Sequence, residues 1–171
     1  MYGNSTDYHY ECGCDGGRCT LDDGTRLTRG CGNAAMELIC DDTNCSVGVW
    51  CGNRFIPRFH LDFITTNVGI GAVCSSTIPK GTFIVEYEPL LHEDALAHRG
   101  RQCGNESRFI NHSCSPNCEL YEWEWANRAR LGIFAATVTP SLQELTFRYR
   151  DKNLTLFACQ CGQQNCVTKQ P

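Results

Sequence analysis

The chain lacks any long apolar run. None of its hydrophobic stretches approaches the roughly 18 consecutive residues of a membrane-spanning helix, so no membrane partner is expected. It also lacks an excess of positive charge: 15 Lys and Arg stand against 19 Asp and Glu, a formal net charge of −4. Neutralising phosphates takes a basic face, so direct sequence-specific binding of nucleic acid is not expected. An acidic surface suits a basic protein or peptide better. The opening residues Met1-Tyr2-Gly3-Asn4-Ser5-Thr6-Asp7-Tyr8-His9-Tyr10 hold neither a basic n-region nor an apolar core, which argues against a signal peptide. No internal repeat or low-complexity segment is present, and 171 residues fit one domain with small appendages.

Cysteine is what the chain has in plenty: 14 of 171 residues, about 8%, at the edge of what marks a disulfide scaffold. The even count permits full pairing, and Asn4, Asn44, Asn105, Asn111 and Asn153 head N-x-S/T sequons. A secreted, disulfide-rich protein is therefore one reading. The spacing favours metal instead. The cysteines gather in clusters containing C-x-C pairs, with only Cys74 and Cys103 in the long stretches between, and neighbours that close are more often metal ligands than a disulfide network.

The first cluster is Cys12, Cys14, Cys19, Cys31, Cys40, Cys45 and Cys51. Seven is odd for disulfides, but it suits two tetrahedral zinc ions sharing one bridging thiolate. Gly, Asp, Thr and Asn dominate the residues between, so the segment is expected to bury little core. Zinc would then supply most of its folding energy, on the order of 10–16 kcal/mol per structural ion. The second cluster, Cys159, Cys161 and Cys166, offers three ligands of a site that needs four. Cys114 and Cys118 are the candidates for the fourth. Free thiols are expected at the cysteines left over.

Between the clusters, Val68-Gly69-Ile70-Gly71-Ala72-Val73 and Thr82-Phe83-Ile84-Val85-Glu86-Tyr87-Glu88 read as strands, with a turn at Ile78-Pro79-Lys80-Gly81. His92 to Gly100 reads as a short helix, acidic at its start and basic at its end. Glu119 to Arg130 reads as a hairpin turning near Asn127 and leading into the buried strand Arg130 to Ala136. The densest segment is Arg108-Phe109-Ile110-Asn111-His112-Ser113-Cys114-Ser115-Pro116-Asn117-Cys118. It offers an amide, an imidazole and thiols within a few residues, and Pro116 stops it from continuing as helix or central strand.

That segment resembles the RFxNHSCxPNC signature of SET-domain protein lysine methyltransferases. The G-x-G strand, I-P-K-G turn and E-Y strand, and the later Glu144-Leu145-Thr146-Phe147-Arg148-Tyr149, are similar to further motifs of that family. The resemblance runs from about Cys12 to Cys166 and implies a mainly β fold of small curved sheets with a pseudoknot. Zinc-binding modules would flank it: an AWS module over 8–56, the SET domain over 57–150 and a post-SET module over 151–171.

By resemblance, Cys12, Cys14, Cys19 and Cys31 hold one zinc, Cys19, Cys40, Cys45 and Cys51 a second, and Cys114, Cys159, Cys161 and Cys166 a third. The alternative for the last is a separate knuckle completed by Cys118. The implied reaction is methyl transfer from S-adenosylmethionine to a lysine of a histone tail or nucleosome, with histone H3 as the implied substrate, in the nucleus on chromatin. Tyr149 would be the catalytic tyrosine. Val68, Gly69, Ile70, Gly71, Tyr87, Asn111, His112 and Phe157 would bind the cofactor.

Three departures motivate a second reading, a catalytically impaired SET-like zinc protein that binds chromatin or a partner. Only Pro89 to Cys103 separates Glu88 from Gly104-Asn105, where the family carries a longer middle segment. Arg148 stands where an Asp or Asn is usual, beside the tyrosine. Ile70 replaces an aromatic in the G-x-G step.

Overall fold

The computed structural model describes residues 31–88, 104–126, 128–149 and 159–169. Within them the chain is mainly β. It has one α-helical turn, α1 (Gly32–Ala35), and seven strands: β1 (Leu61–Thr66), β2 (Gly69–Cys74), β3 (Phe83–Glu86), β4 (Asn111–His112), β5 (Cys118–Trp125), β6 (Arg128–Ala135) and β7 (Thr146–Phe147). These make three small sheets: an antiparallel β1-β2 hairpin, a β3-β6-β5 sheet, and a parallel β4-β7 pair.

Local chemistry sets the turns. Between β1 and β2 the Thr66 hydroxyl accepts from Val68 N at 3.2 Å and donates to Gly69 O at 3.0 Å, while Gly69 takes a φ of 120° that a side chain would resist. Gly81, with φ 79°, closes the turn after Pro79 and Lys80. The β5-β6 hairpin, which pairs Trp125 with Arg128, falls where a hairpin is expected over Glu119 to Arg130. Strand β1 is not predicted, because Leu61 to Thr66 shows no clean alternation and is exposed on both faces over most of its length. The helix expected over His92 to Gly100 lies outside the described residues.

The β4-β7 pair brings the C-terminal part of the domain alongside the Asn111–Cys118 loop. Ser113 N donates to Phe147 O at 3.2 Å. Asn117 reaches across with both ends of its amide, accepting from Thr146 N at 2.8 Å and donating to Glu144 O at 2.9 Å. Beneath this crossing, Ile78, Ile84, Ile110, Ile133 and Leu145 are completely buried.

A second core corrects the expectation that the first cysteine segment buries little. Cys31, Cys40, Cys45 and Cys51 pack with Ile39 against Phe83, Trp123 and Phe134 of the sheet, and Phe55 stacks on Phe83 at 4.5 Å. The segment has few apolar residues of its own, but the body supplies the aromatics. Backbone bonds complete the join: Ile39 N to Glu124 O and Glu124 N to Glu37 O, both 2.9 Å, extend the sheet past the edge of β5.

The ends of the short middle segment are tied together. Asn105 donates through Nδ2 to Glu86 O at 2.7 Å, and Glu88 N donates to the Ser107 hydroxyl at 3.3 Å. Asn105 also caps the 3₁₀ helix Glu106–Phe109 through Ser107 N.

Candidate active site and metal centres

Four sulfurs converge at the C-terminal end: those of Cys114, Cys159, Cys161 and Cys166 all lie within 4.8 Å of one another. Cys114 Sγ and Cys159 Sγ are 3.8 Å apart. In a tetrahedral zinc site with Zn–S near 2.3 Å the sulfurs stand about 3.8 Å apart, so the geometry fits. An all-thiolate, mostly buried donor set also selects zinc over harder cations. Cys118 is not part of this group. It is buried in the main core, and burial pushes its thiol up to about 12, against a smaller opposing hydrogen bond from Thr146.

At the other end, the sulfurs of Cys40, Cys45 and Cys51 lie within 4.8 Å of one another, and Cys31 Sγ is 4.0 Å from Cys40 Sγ. N–H groups surround these sulfurs. Asn53 Nδ2 and Asn33 Nδ2 donate to Cys40 Sγ at 3.2 and 3.4 Å, and Asn53 N donates to Cys51 Sγ at 3.4 Å. The Cys31 thiol caps α1 by accepting from Ala34 N. The Cys51 hydrogen bond, followed by those of Asn53 and Asn33, outweighs burial and pulls the Cys40 thiol from 9.0 to about 5. Arg54, buried and paired with Asp42 at 2.7 Å, adds positive charge beside Cys45 and Cys51. Cys12, Cys14 and Cys19 lie outside the described residues.

A cavity of about 390 Å³ opens between the β1-β2 turn, strand β4 and the C-terminal cysteine segment. Val68, Asn111 and His112 line it, as does the zinc-ligand candidate Cys161. Ile70 contributes its backbone: Asn111 Nδ2 donates to Ile70 O at 3.1 Å and to Glu144 Oε1 at 2.8 Å, whereas the Ile70 side chain is 53% exposed. Gly71 lies against the Glu144 carboxylate and Gly69 in the turn. Thr66, Asn67, Asn117, Glu144 and Gln160 are among the other lining residues, and none of them was a candidate site residue from sequence. Glu144 stood in a recognised motif, but the weight there fell on the terminal tyrosine.

Tyr149 and Tyr87 sit behind this wall. Tyr149 N donates to His112 Nδ1 at 3.1 Å, and the Tyr149 hydroxyl donates to Ile110 O at 2.9 Å. Because His112 Nδ1 accepts, the neutral ring carries its proton on Nε2, which lies 3.5 Å from Cys114 Sγ. Burial, then the positive charge of Arg148, lowers the His112 pKa and keeps that neutral form. The Tyr149 ring packs on His112 and Phe147, with centroids at 5.4 and 4.8 Å. Burial, then Tyr87, raises its phenol above the usual 10.0. Tyr87 itself packs edge-on against Phe147. Arg148 donates to the carbonyl of Cys114, which also accepts from Asn165 Nδ2 at 3.2 Å, so its guanidinium braces the cysteine loop. Phe157 lies outside the described residues. The sequons at Asn44, Asn105 and Asn111 are occupied by structure, since each side-chain nitrogen donates to a backbone carbonyl.

Residues 91–150 match the family model described as SET domain. Over that stretch the chain is similar to SET domains, and the relatives it resembles are named histone-lysine N-methyltransferases. It is 31% identical over 192 residues to "Histone-lysine N-methyltransferase, H3 lysine-36 specific" of Mycosarcoma maydis, a match covering 94% of this chain and 20% of that protein. It is 32% identical over 167 residues to histone-lysine N-methyltransferase SETD2 of Homo sapiens, covering 80% of this chain and 6% of the relative. The Arabidopsis thaliana histone-lysine N-methyltransferase ASHR3 is 32% identical over 180 residues, with 89% of this chain and 36% of that protein covered. The chain therefore spans a minor part of these curated relatives. Among solved structures, that of KRYPTONITE in complex with mCHH DNA, H3(1-15) peptide and SAH has the same fold. Its TM-score is 0.61 at 24% identity, covering 92% of this chain and 43% of that one.

Proposed function

We propose that the chain is an S-adenosylmethionine-dependent protein-lysine N-methyltransferase that acts on histone H3 in nucleosomes, in the nucleus, and is held together by three zinc ions. The observation that carries this reading is the cavity lined by Val68, Asn111, His112 and Cys161, the last a member of the Cys114-Cys159-Cys161-Cys166 cluster, with Tyr149 hydrogen-bonded to the back of His112. The names of the relatives, several specific for H3 lysine 36, supply the substrate class.

S-adenosylmethionine, when bound, supplies the activated methyl group. Asn111 and the backbone around Val68 to Gly71 would hold its polar groups, and Phe157 would cover the adenine. Tyr87 and Tyr149 would form the apolar mouth that strips water from the lysine and favours its neutral amine. The protein's main contribution would be alignment, worth roughly 7–11 kcal/mol of barrier. The zinc assignments are those of the three-site arrangement, with Cys12, Cys14, Cys19 and Cys31 on one ion, Cys19, Cys40, Cys45 and Cys51 on the next, and Cys114 with the tail cysteines on the third. The module boundaries at 56/57 and 150/151 belong to the same proposal.

The second reading, a catalytically impaired zinc protein that docks to chromatin, draws on one observation. The Asn105–Glu86 and Glu88–Ser107 bonds tie off a middle segment of only Pro89 to Cys103. A methyl-transfer assay separates the two. Zinc-loaded protein, labelled S-adenosylmethionine and recombinant nucleosomes should give label on H3, lost when H3 lysine 36 is replaced. Tyr149→Phe should lower the rate about 100-fold, the cost of misplacing reacting groups by an ångström, with zinc content unchanged. No transfer by the folded wild-type chain favours the second reading.

A further inference from the structure

We infer that Glu144 is a positioning residue, which fixes the amide of Asn111 so that its oxygen is presented to an ammonium group in the cavity. This rests on the methyltransferase reading, because the ammonium in question is that of the amino-acid portion of S-adenosylmethionine. The Asn111 side-chain atom that lies 3.1 Å from Ile70 O also lies 2.8 Å from Glu144 Oε1. Both neighbours are acceptors, so that atom must be the NH₂ group, and both of its protons are used. Oδ1 then has no hydrogen-bond partner among the described residues, on a side chain that lines the cavity. An acceptor without a donor in a polar cavity is a place for one, and the cofactor's α-ammonium has three.

Glu144 holds this arrangement from a prepared seat. It follows the Pro140–Gln143 turn and precedes β7, where Asn117 Nδ2 binds its carbonyl at 2.9 Å. Its carboxylate fills the space over Gly71: a Cβ there would meet Glu144 Oε1 at 2.6 Å and Thr66 Cγ2 at 2.7 Å. Gly71, Glu144 and Asn111 thus form one unit in which the missing side chain of the first admits the second, and the second aims the third. Without the carboxylate, rotating the Asn111 amide by half a turn costs a single bond to Ile70 O, and the donor end would then face the cofactor's ammonium.

The test compares two ligands by calorimetry on the zinc-loaded full chain. S-adenosylhomocysteine carries the α-ammonium, and methylthioadenosine carries the adenosyl thioether without it. Glu144→Ala should weaken S-adenosylhomocysteine about tenfold, as the loss of one charged hydrogen bond does, and leave methylthioadenosine unchanged. Glu144→Gln, which keeps an acceptor, should stay within about threefold of wild type, and Gly71→Ala should behave as Glu144→Ala. Equal loss for both ligands, or no loss for either, overturns the assignment. If the wild type binds neither ligand, the methyltransferase reading fails. The orientation is then decided by NMR: the Asn111 side-chain amide protons should exchange with water about tenfold faster in Glu144→Ala, and an unchanged rate overturns it.

Discussion

His112 works at both ends: it accepts from Tyr149 N through Nδ1 and faces Cys114 Sγ through Nε2. The catalytic candidate and the C-terminal metal site are therefore one imidazole apart. Cys114→Ser should remove one zinc per molecule, measured by native mass spectrometry, and weaken cofactor binding. Cys118→Ser should keep full zinc content, because Cys118 is a core residue. Equal zinc loss in both variants would contradict the ligand set. Acid provides a second check. The folded-state thiol of Cys40 is depressed from 9.0 to about 5, so the stability it contributes is fully present above about pH 9 and is lost as pH falls through about 5. Metal needs the thiolate, so the N-terminal cluster should hold zinc at neutral pH and release it to a chromophoric indicator only as acid protonates the thiolates. Complete release already at about pH 6.5 would contradict that cage. Asn111, His112 and Cys114 were legible in sequence because they are contiguous. Glu144 was not, since its role comes from a carboxylate crossing to Asn111 through the space over Gly71, and no local pattern encodes that crossing.

Strands β2, β3 and the β5-β6 hairpin followed from apolar and β-branched runs bounded by turn residues. Strands β4 and β7 have two residues each and pair in parallel, so no periodicity announces them, and only the family resemblance implied the crossing. The union of the first cysteine segment with the sheet was also hidden. Its core depends on Trp123 and Phe134, some 70 to 100 residues away in the chain, meeting Ile39, Cys40 and Cys51. That union makes a prediction. Trp123 is almost completely buried, so Trp123→Ala should destabilise the fold by about 3–5 kcal/mol in denaturant unfolding. It should also speed zinc release from the N-terminal cluster while leaving release from the C-terminal site unchanged. Destabilisation with both sites equally unaffected would mean that the cysteine segment stands independently of the sheet.

Metal and fold meet at both ends of the molecule. Sulfur clusters form from the first and last cysteine segments of the described chain, around a β body with its own buried core. The cavity is walled on one side by Cys161 and Gln160, next to the C-terminal cluster, so its shape depends on that cluster being closed. The residues flanking Pro89 to Cys103 are joined by the Asn105–Glu86 and Glu88–Ser107 hydrogen bonds. The cavity lined by Val68, Asn111 and His112 is thus assembled within the described residues. Titration of the zinc-loaded protein with S-adenosylmethionine in a calorimeter goes to the centre of this account. Saturable one-to-one binding, weakened by Asn111→Ala and lost on zinc chelation, is the predicted result. A folded, zinc-loaded chain that gives no heat of binding would contradict the assignment of the cavity as a cofactor site.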